Sequence, residues 1–271
     1  MKKHCIERWD HAICSAEERE IGPRMLRALT EGERSVLVMR GALPPAALAG
    51  GLALIHGHRG RARSTRYVNG ALTTIGPYLA GHLSRPDRYF EGARVTDEVF
   101  SEPEHDLRRL TRERLKTFFG LRSFTVAEEA DGRRYADSVV RIHGDGVENP
   151  LHNDNIMRDA APTGLALTRL RHQLSCIVCV QECDAGGELV IYRKAWRPED
   201  EVFKIQGGLG YDPGVVRGAA SDVFRPQTGD VYLINPTHYH AIERVCGRDR
   251  ITVGFFFGFY DDVLSDAVAW S

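Results

Sequence analysis

The chain has 271 residues, enough for one large domain, or a core domain with a helical extension, around a substantial apolar core. Its 36 basic and 37 acidic residues nearly cancel and no basic tract stands out, so a nucleic-acid or membrane-surface partner has no electrostatic support. No run approaches the roughly 20 consecutive apolar residues of a membrane-spanning helix.

The N-terminal MKKHCIERWDHAICSAEERE has two lysines but polar and acidic residues where a signal peptide needs an apolar stretch, and a cytoplasmic protein is expected. In that compartment Cys5, Cys14, Cys176, Cys179, Cys183 and Cys246 are expected as free thiols. AEEREIGPRMLRALTEG spaces its apolar residues as a helix does. SEPEHDLRRLTRERLKTFFGL opens on Ser101, acidic residues and Pro103 and runs to basic residues and Gly120, which predicts a second helix. Residues 1–130 are accordingly expected to be mainly helical and to pack on a core formed by residues 131–271.

From about residue 134 the period shortens. SVVRIH, LSCIVCVQE, GELVIYR, GDVYLIN, HAIERV and RITVGFFFGF read as successive strands separated by Gly, Pro, Asp and Asn. Helices followed by many short strands predict an antiparallel β-sandwich or barrel buttressed by helices. Cys176 and Cys179 lie three apart on one of these strands and therefore face opposite ways, which argues against a shared metal. The Gly-, Pro- and charge-rich stretch from about 193 to 228 is too long for a hairpin turn and is expected to form a lid. At its start, Arg193, Lys194, Trp196 and Arg197 could meet an anionic substrate group or be solvated, and Tyr192 could be core or pocket wall.

LHNDNIMR places His152 and Asp154 one residue apart after the turn-forming GDGVENP. On extended backbone both side chains leave the same face and can reach one divalent metal ion. A second imidazole from THYHAIERVCGRDRIT, either His238 or His240, would complete two histidines and one carboxylate around iron(II). That set leaves positions for a bidentate cosubstrate and dioxygen. Arg248 or Arg250 could then pair with a distal carboxylate.

Together these segments resemble the iron(II)- and 2-oxoglutarate-dependent oxygenase superfamily, in particular its prolyl-hydroxylase-type branch. The resemblance runs over about residues 137–260: VVRIHGDGVENPLHND is similar to the approach to the family's H-x-D motif, DAGGELVIY to its Gly-Gly strand, and TGDVYLINPTHYHAIERVCGRDRIT to its closing segment. It implies a mostly β fold with α, a double-stranded β-helix of jelly-roll or cupin-like barrel form, with Fe(II), 2-oxoglutarate and O2 as cofactor and cosubstrates. The family pattern favours His240, followed by Ile242 and Val245, over His238. It favours Arg250 with Thr252 over Arg248. His152, Asp154 and His240 are thus the expected metal ligands and catalytic centre, with Arg250, Thr252 and His143 at the cosubstrate; His143 stands where relatives often have tyrosine.

Related halogenases typically have Gly or Ala at the acidic position, whereas this chain retains Asp154. The resemblance therefore implies a hydroxylase acting on a small metabolite, such as a free amino acid or natural-product intermediate, with 2-oxoglutarate converted to succinate and carbon dioxide. Desaturation or cyclisation would use the same ligands. A non-oxidative, cupin-like metal-binding protein is the alternative from another class, and it has no need of the arginine.

Overall fold

The computed structural model of the protein describes residues 9–18 and 21–271. The first strands in chain order are β1 (Ala12–Ser15), β2 (Val36–Arg40), β3 (Arg63–Tyr67), β4 (Gly70–Ile75), β5 (Ser123–Val126), β6 (Val139–His143), β7 (Asn149–His152) and β8 (His172–Gln181). They continue with β9 (Ala185–Gly186), β10 (Leu189–Ala195), β11 (Ser221–Phe224), β12 (Val231–Ile234), β13 (His238–Ile242), β14 (Val245–Cys246), β15 (Arg250–Phe259) and β16 (Asp266–Trp270). The α-helices are α1 (Gly22–Thr30), α2 (Pro45–Gly57), α3 (Pro86–Gly92), α4 (Val95–Val99), α5 (Leu107–Phe119) and α6 (Ile156–Asp159).

A major sheet runs β1-β2-β12-β8-β15-β6-β4-β3, with β16 paired to β15 and β5 to β16. A minor sheet runs β11-β10-β13-β7, and β9 pairs with β14 in a short separate ladder. Side-chain alternation in β15 explains how the layers stack. Ile251, Val253, Phe255 and Phe257 point outward into a core shared with Leu26 of α1, Ile55 of α2 and Leu115 of α5. Arg250, Thr252 and Phe256 point the other way, into the cavities between the sheets. β8 does the same, with Cys176 and Val178 in the helix-covered core and Ser175 and Ile177 facing inward. Two buried faces explain why these strands read as nearly unbroken apolar runs. Among the described residues the two sheets face each other as a jelly roll, and no ladder closes them into a barrel.

The first half holds strands as well as helices. Its helices do cover the major sheet, but β1 to β5 belong to that sheet, and the pairings β2–β12, β4–β6 and β5–β16 cross the division expected at residue 130. VLVM in β2 is buried on both sides, Leu37 and Met39 against the helices and Val36 and Val38 against the interior, so it lacks the alternation that marks a strand. RSTRY in β3 is largely exposed and carries no apolar pattern at all.

Helix α5 starts later than its sequence suggests. Asp106 is the cap, its carboxylate accepting from the backbone N–H groups of Arg108 and Arg109, while Pro103 lies in a preceding short turn. Gly120 ends the helix at φ 67°. No described helix is long and apolar enough to cross a membrane. Cys14, Cys176, Cys179, Cys183 and Cys246 are free thiols, and Cys5 lies outside the described residues. Burial raises the Cys176 and Cys179 thiols, the latter to about 12, so neither is a ready thiolate.

The 193–228 stretch is more ordered than a bare loop. β10 extends through Ala195, short 3-10 helices form at Pro198–Phe203 and Pro213–Val216, and β11 returns antiparallel to β10. Between the two short helices the chain reaches over to the β3–β4 hairpin. There Asn69 clasps Leu209, donating to its carbonyl and accepting from its N–H, both at 2.8 Å.

Candidate metal and cosubstrate site

β7 and β13 pair so that His152 stands opposite His240, with ring centroids 4.2 Å apart. Just beyond β7, the Asp154 N–H donates to the Pro236 carbonyl at 2.8 Å, which ties this turn to the segment entering β13. Each histidine is oriented by its own strand: His152 Nδ1 lies 2.7 Å from the Pro150 carbonyl and His240 Nδ1 2.9 Å from the His238 carbonyl. A carbonyl only accepts, so both Nδ1 atoms carry the proton and both Nε2 lone pairs are free. Those Nε2 atoms stand 3.7 Å and 3.8 Å from Asp154 Oδ2. The three groups can together hold one metal ion. Burial, reinforced by the neighbouring His152, keeps the His240 pKa well below its ordinary value, which preserves the neutral ring a metal needs.

Deeper between the sheets lies a pocket that reaches Arg250, Thr252 and His143. Arg250 pairs with His143 across β15 and β6 and is only 3% exposed; its Nη2 donates to the Tyr232 hydroxyl at 2.7 Å. The Gly186-Gly187 pair makes this packing possible. Both have φ of 72°; a carbon on Gly186 would lie 1.9 Å from the Arg244 carbonyl oxygen, and one on Gly187 3.1 Å from Arg250 Cδ. Neither ring nitrogen of buried His143 has a hydrogen-bond partner among the described residues. Burial, with Arg250 and Arg141 adding repulsion, lowers its pKa to about 3, so it is a neutral ring with an unused donor.

These residues fit iron(II) and 2-oxoglutarate. Two neutral imidazoles and a carboxylate make the donor set, a buried planar guanidinium with a hydroxyl beside it suits a distal carboxylate, and an orphaned imidazole N–H faces the same space.

The remaining candidates lie elsewhere. His238 packs on Trp9, ring centroids 6.1 Å apart, and reaches the site only through its carbonyl. Arg248 is exposed in the turn, its Nε donating to the Glu182 carbonyl. Arg193 and Arg197 are exposed, while Lys194 is held by Asp200 and the Val215 carbonyl and Trp196 donates to Glu201. Tyr192 packs beside the buried Leu151, Tyr211 and Tyr239 cluster.

Sequence reading missed two residues of the site. Tyr232 follows from the alternation in GDVYLIN, which places it inward with Ile234. Arg141 precedes His143 by two in SVVRIH and therefore shares its face. An outer cavity opens from Arg141, Asn149, His152 and Asp154 to apolar walls that include Leu79, Ile156, Phe256 and Trp270.

The profile of the family described as "Carrier-protein-independent halogenase WelO5" matches residues 14–271. The chain belongs to this family. It is an iron(II)- and 2-oxoglutarate-dependent enzyme. Leucinostatins biosynthesis cluster protein S of Purpureocillium lilacinum is 27% identical over 140 residues, which span 49% of this chain and 55% of that protein. In fold the chain is similar to an N-substituted L-amino acid dioxygenase from Burkholderia ambifaria AMMD, with a TM-score of 0.63 at 18% identity over 92% of this chain and 91% of that one. It is similar also to the α-ketoglutarate-dependent carbocyclase SnoK of nogalamycin biosynthesis, with a TM-score of 0.52 at 12% identity over 92% and 88%.

Proposed function

We propose that this member of the halogenase family hydroxylates an unactivated C–H bond of a small metabolite, an amino acid derivative or natural-product intermediate. His152, Asp154 and His240 are the metal ligands in this reading, and Arg250, Thr252 and His143 bind 2-oxoglutarate. The observation that carries it is Asp154: its carboxylate oxygen lies within 4 Å of both Nε2 atoms, where related halogenases have Gly or Ala and leave a metal position for halide. A carboxylate there both fills that position and repels a halide ion. The biosynthetic context of the Purpureocillium relative and the amino-acid chemistry of the Burkholderia one support the substrate class.

When bound, the metal with 2-oxoglutarate and dioxygen supplies the oxidising power for C–H cleavage, 2-oxoglutarate leaving as succinate and carbon dioxide. The protein's part is positional. Arg250, fixed by Tyr232, would hold a carboxylate of the cosubstrate together with Thr252. The apolar walls of the outer cavity exclude water and bring the target C–H bond up to the open side of the ligand triangle. The insertion, clasped to Asn69 through Leu209, closes part of the mouth. A succinate-release screen of amino acids and their derivatives with iron-loaded protein tests this reading. A substrate that stimulates succinate formation and gains a hydroxyl supports it; a chlorinated product refutes it.

A further inference from the structure

Arg141 lines both the inner and the outer cavity. It sits opposite Thr252 on β15, on the same interior face as His143. Its largely enclosed guanidinium makes no hydrogen bond or close ion pair with any described residue; burial lowers its pKa, and Asp154 is the opposing charge that acts on it most. The neighbouring strand leaves room for it: Gly254 lies within β15, and a carbon there would stand 3.3 Å from Arg141 Nη1. An enclosed cation with no direct partner is costly, which makes its retention at a cavity wall informative.

The other charges around the two cavities are matched. Asp159 is paired with Arg158 Nε at 2.6 Å. Asp154 faces the metal position, and Arg250 faces the cosubstrate. With the site loaded, iron(II), Arg250 and Arg141 would bring four positive charges, and Asp154 and 2-oxoglutarate three negative ones. One positive charge is left, and it is on the substrate side.

We propose that Arg141 is a specificity-determining residue that pairs with a carboxylate of the substrate, so that the enzyme takes a monoanionic acid with an apolar body. This rests on reading the inner pocket as the 2-oxoglutarate site. The planar fork of Arg141 sets the carboxylate beside the Asn149 amide, and Leu79, Ile156, Phe256 and Trp270 receive the apolar part. The distance between anion and metal then selects which carbon is presented for oxidation.

The test is anaerobic calorimetry on the enzyme loaded with Fe(II) and 2-oxoglutarate, titrated with octanoate and hydrocinnamate, each beside its primary amide. The acids bind at least about tenfold more tightly than the amides in the wild-type protein, in line with a charge-assisted pair. Arg141→Gln removes that preference while the affinity for 2-oxoglutarate changes less than about threefold, and Arg141→Lys retains part of it. Acids and amides binding alike, or neither acid binding at all, overturns the proposal. So does an Arg141→Gln protein whose main defect is in 2-oxoglutarate affinity, because the arginine then serves the cosubstrate. Binding is read without turnover, so a halogenated product would sink the hydroxylase reading and leave this one standing.

Discussion

His152 and His240 face each other across adjacent antiparallel strands, and each has its Nδ1–H tied to the carbonyl two residues before it in the chain. Backbone pairing therefore fixes both ring planes before any metal arrives. Asp154 completes the triangle from a turn held by Pro236. Replacing His152, Asp154 or His240 by Ala is expected to abolish 2-oxoglutarate turnover and to weaken Fe(II) binding at least about tenfold, since loss of even an orienting partner costs about that much. Anaerobic metal titration checks this. Full activity in Asp154→Ala would remove that residue from the ligand set.

Arg250 and Arg248 are separated by burial rather than by spacing. Truncating a buried guanidinium–carboxylate pair costs on the order of 2 to 5 kcal/mol, so Arg250→Ala should raise the 2-oxoglutarate KM about 30-fold or more. Arg250→Lys keeps charge without the fork and falls between. Arg248→Ala changes KM little, because that side chain contacts only the surface turn. The reverse ranking in steady-state kinetics would shift the cosubstrate to the outer arginine.

The Asn69–Leu209 clasp gives the insertion a measurable hold. Each hydrogen bond contributes about 1 kcal/mol net, so Asn69→Ala should open the segment and speed tryptic cleavage after half-exposed Lys204 several-fold. Substrate with 2-oxoglutarate should slow cleavage in the wild-type protein. No protection, and a variant cut at the wild-type rate, would show that the segment does not act as a lid.

His143 links the cosubstrate pocket to acid stability. Its folded pKa, about 3, lies below the ordinary 6.5, so between these values the unfolded chain binds the extra proton and stability falls as pH drops. Stability is fully present above pH 6.5 and is lost downward at up to about 1.4 kcal/mol per pH unit. From pH 7 to 5 the wild-type protein should lose about 2 kcal/mol more than His143→Gln in urea unfolding. Equal losses would mean that the ring is not held neutral.

Much of the β core was legible because its pattern is local. RITVGFFFGF is the whole of β15, and H-x-D, His240 and Arg250 stand at or beside strand ends whose order the sequence displays. What escaped depends on pairing with distant chain. β2 is buried on both faces and reads as a featureless apolar run, and β3 reads as a polar loop. Tyr232 becomes meaningful only when β12 brings it to Arg250. Arg141 was visible as a charge inside a strand, but its lack of a direct partner appears only once the residues around both cavities are in place.

The central claim is that Asp154 makes this member of a halogenase family an oxygen-inserting enzyme. It is tested most directly by turning over an accepted substrate with isotopically labelled dioxygen in chloride-containing buffer and analysing the product by mass spectrometry. The account predicts a product carrying labelled oxygen and no chlorine, with labelled oxygen also in succinate. A chlorinated product from the wild-type protein would contradict it.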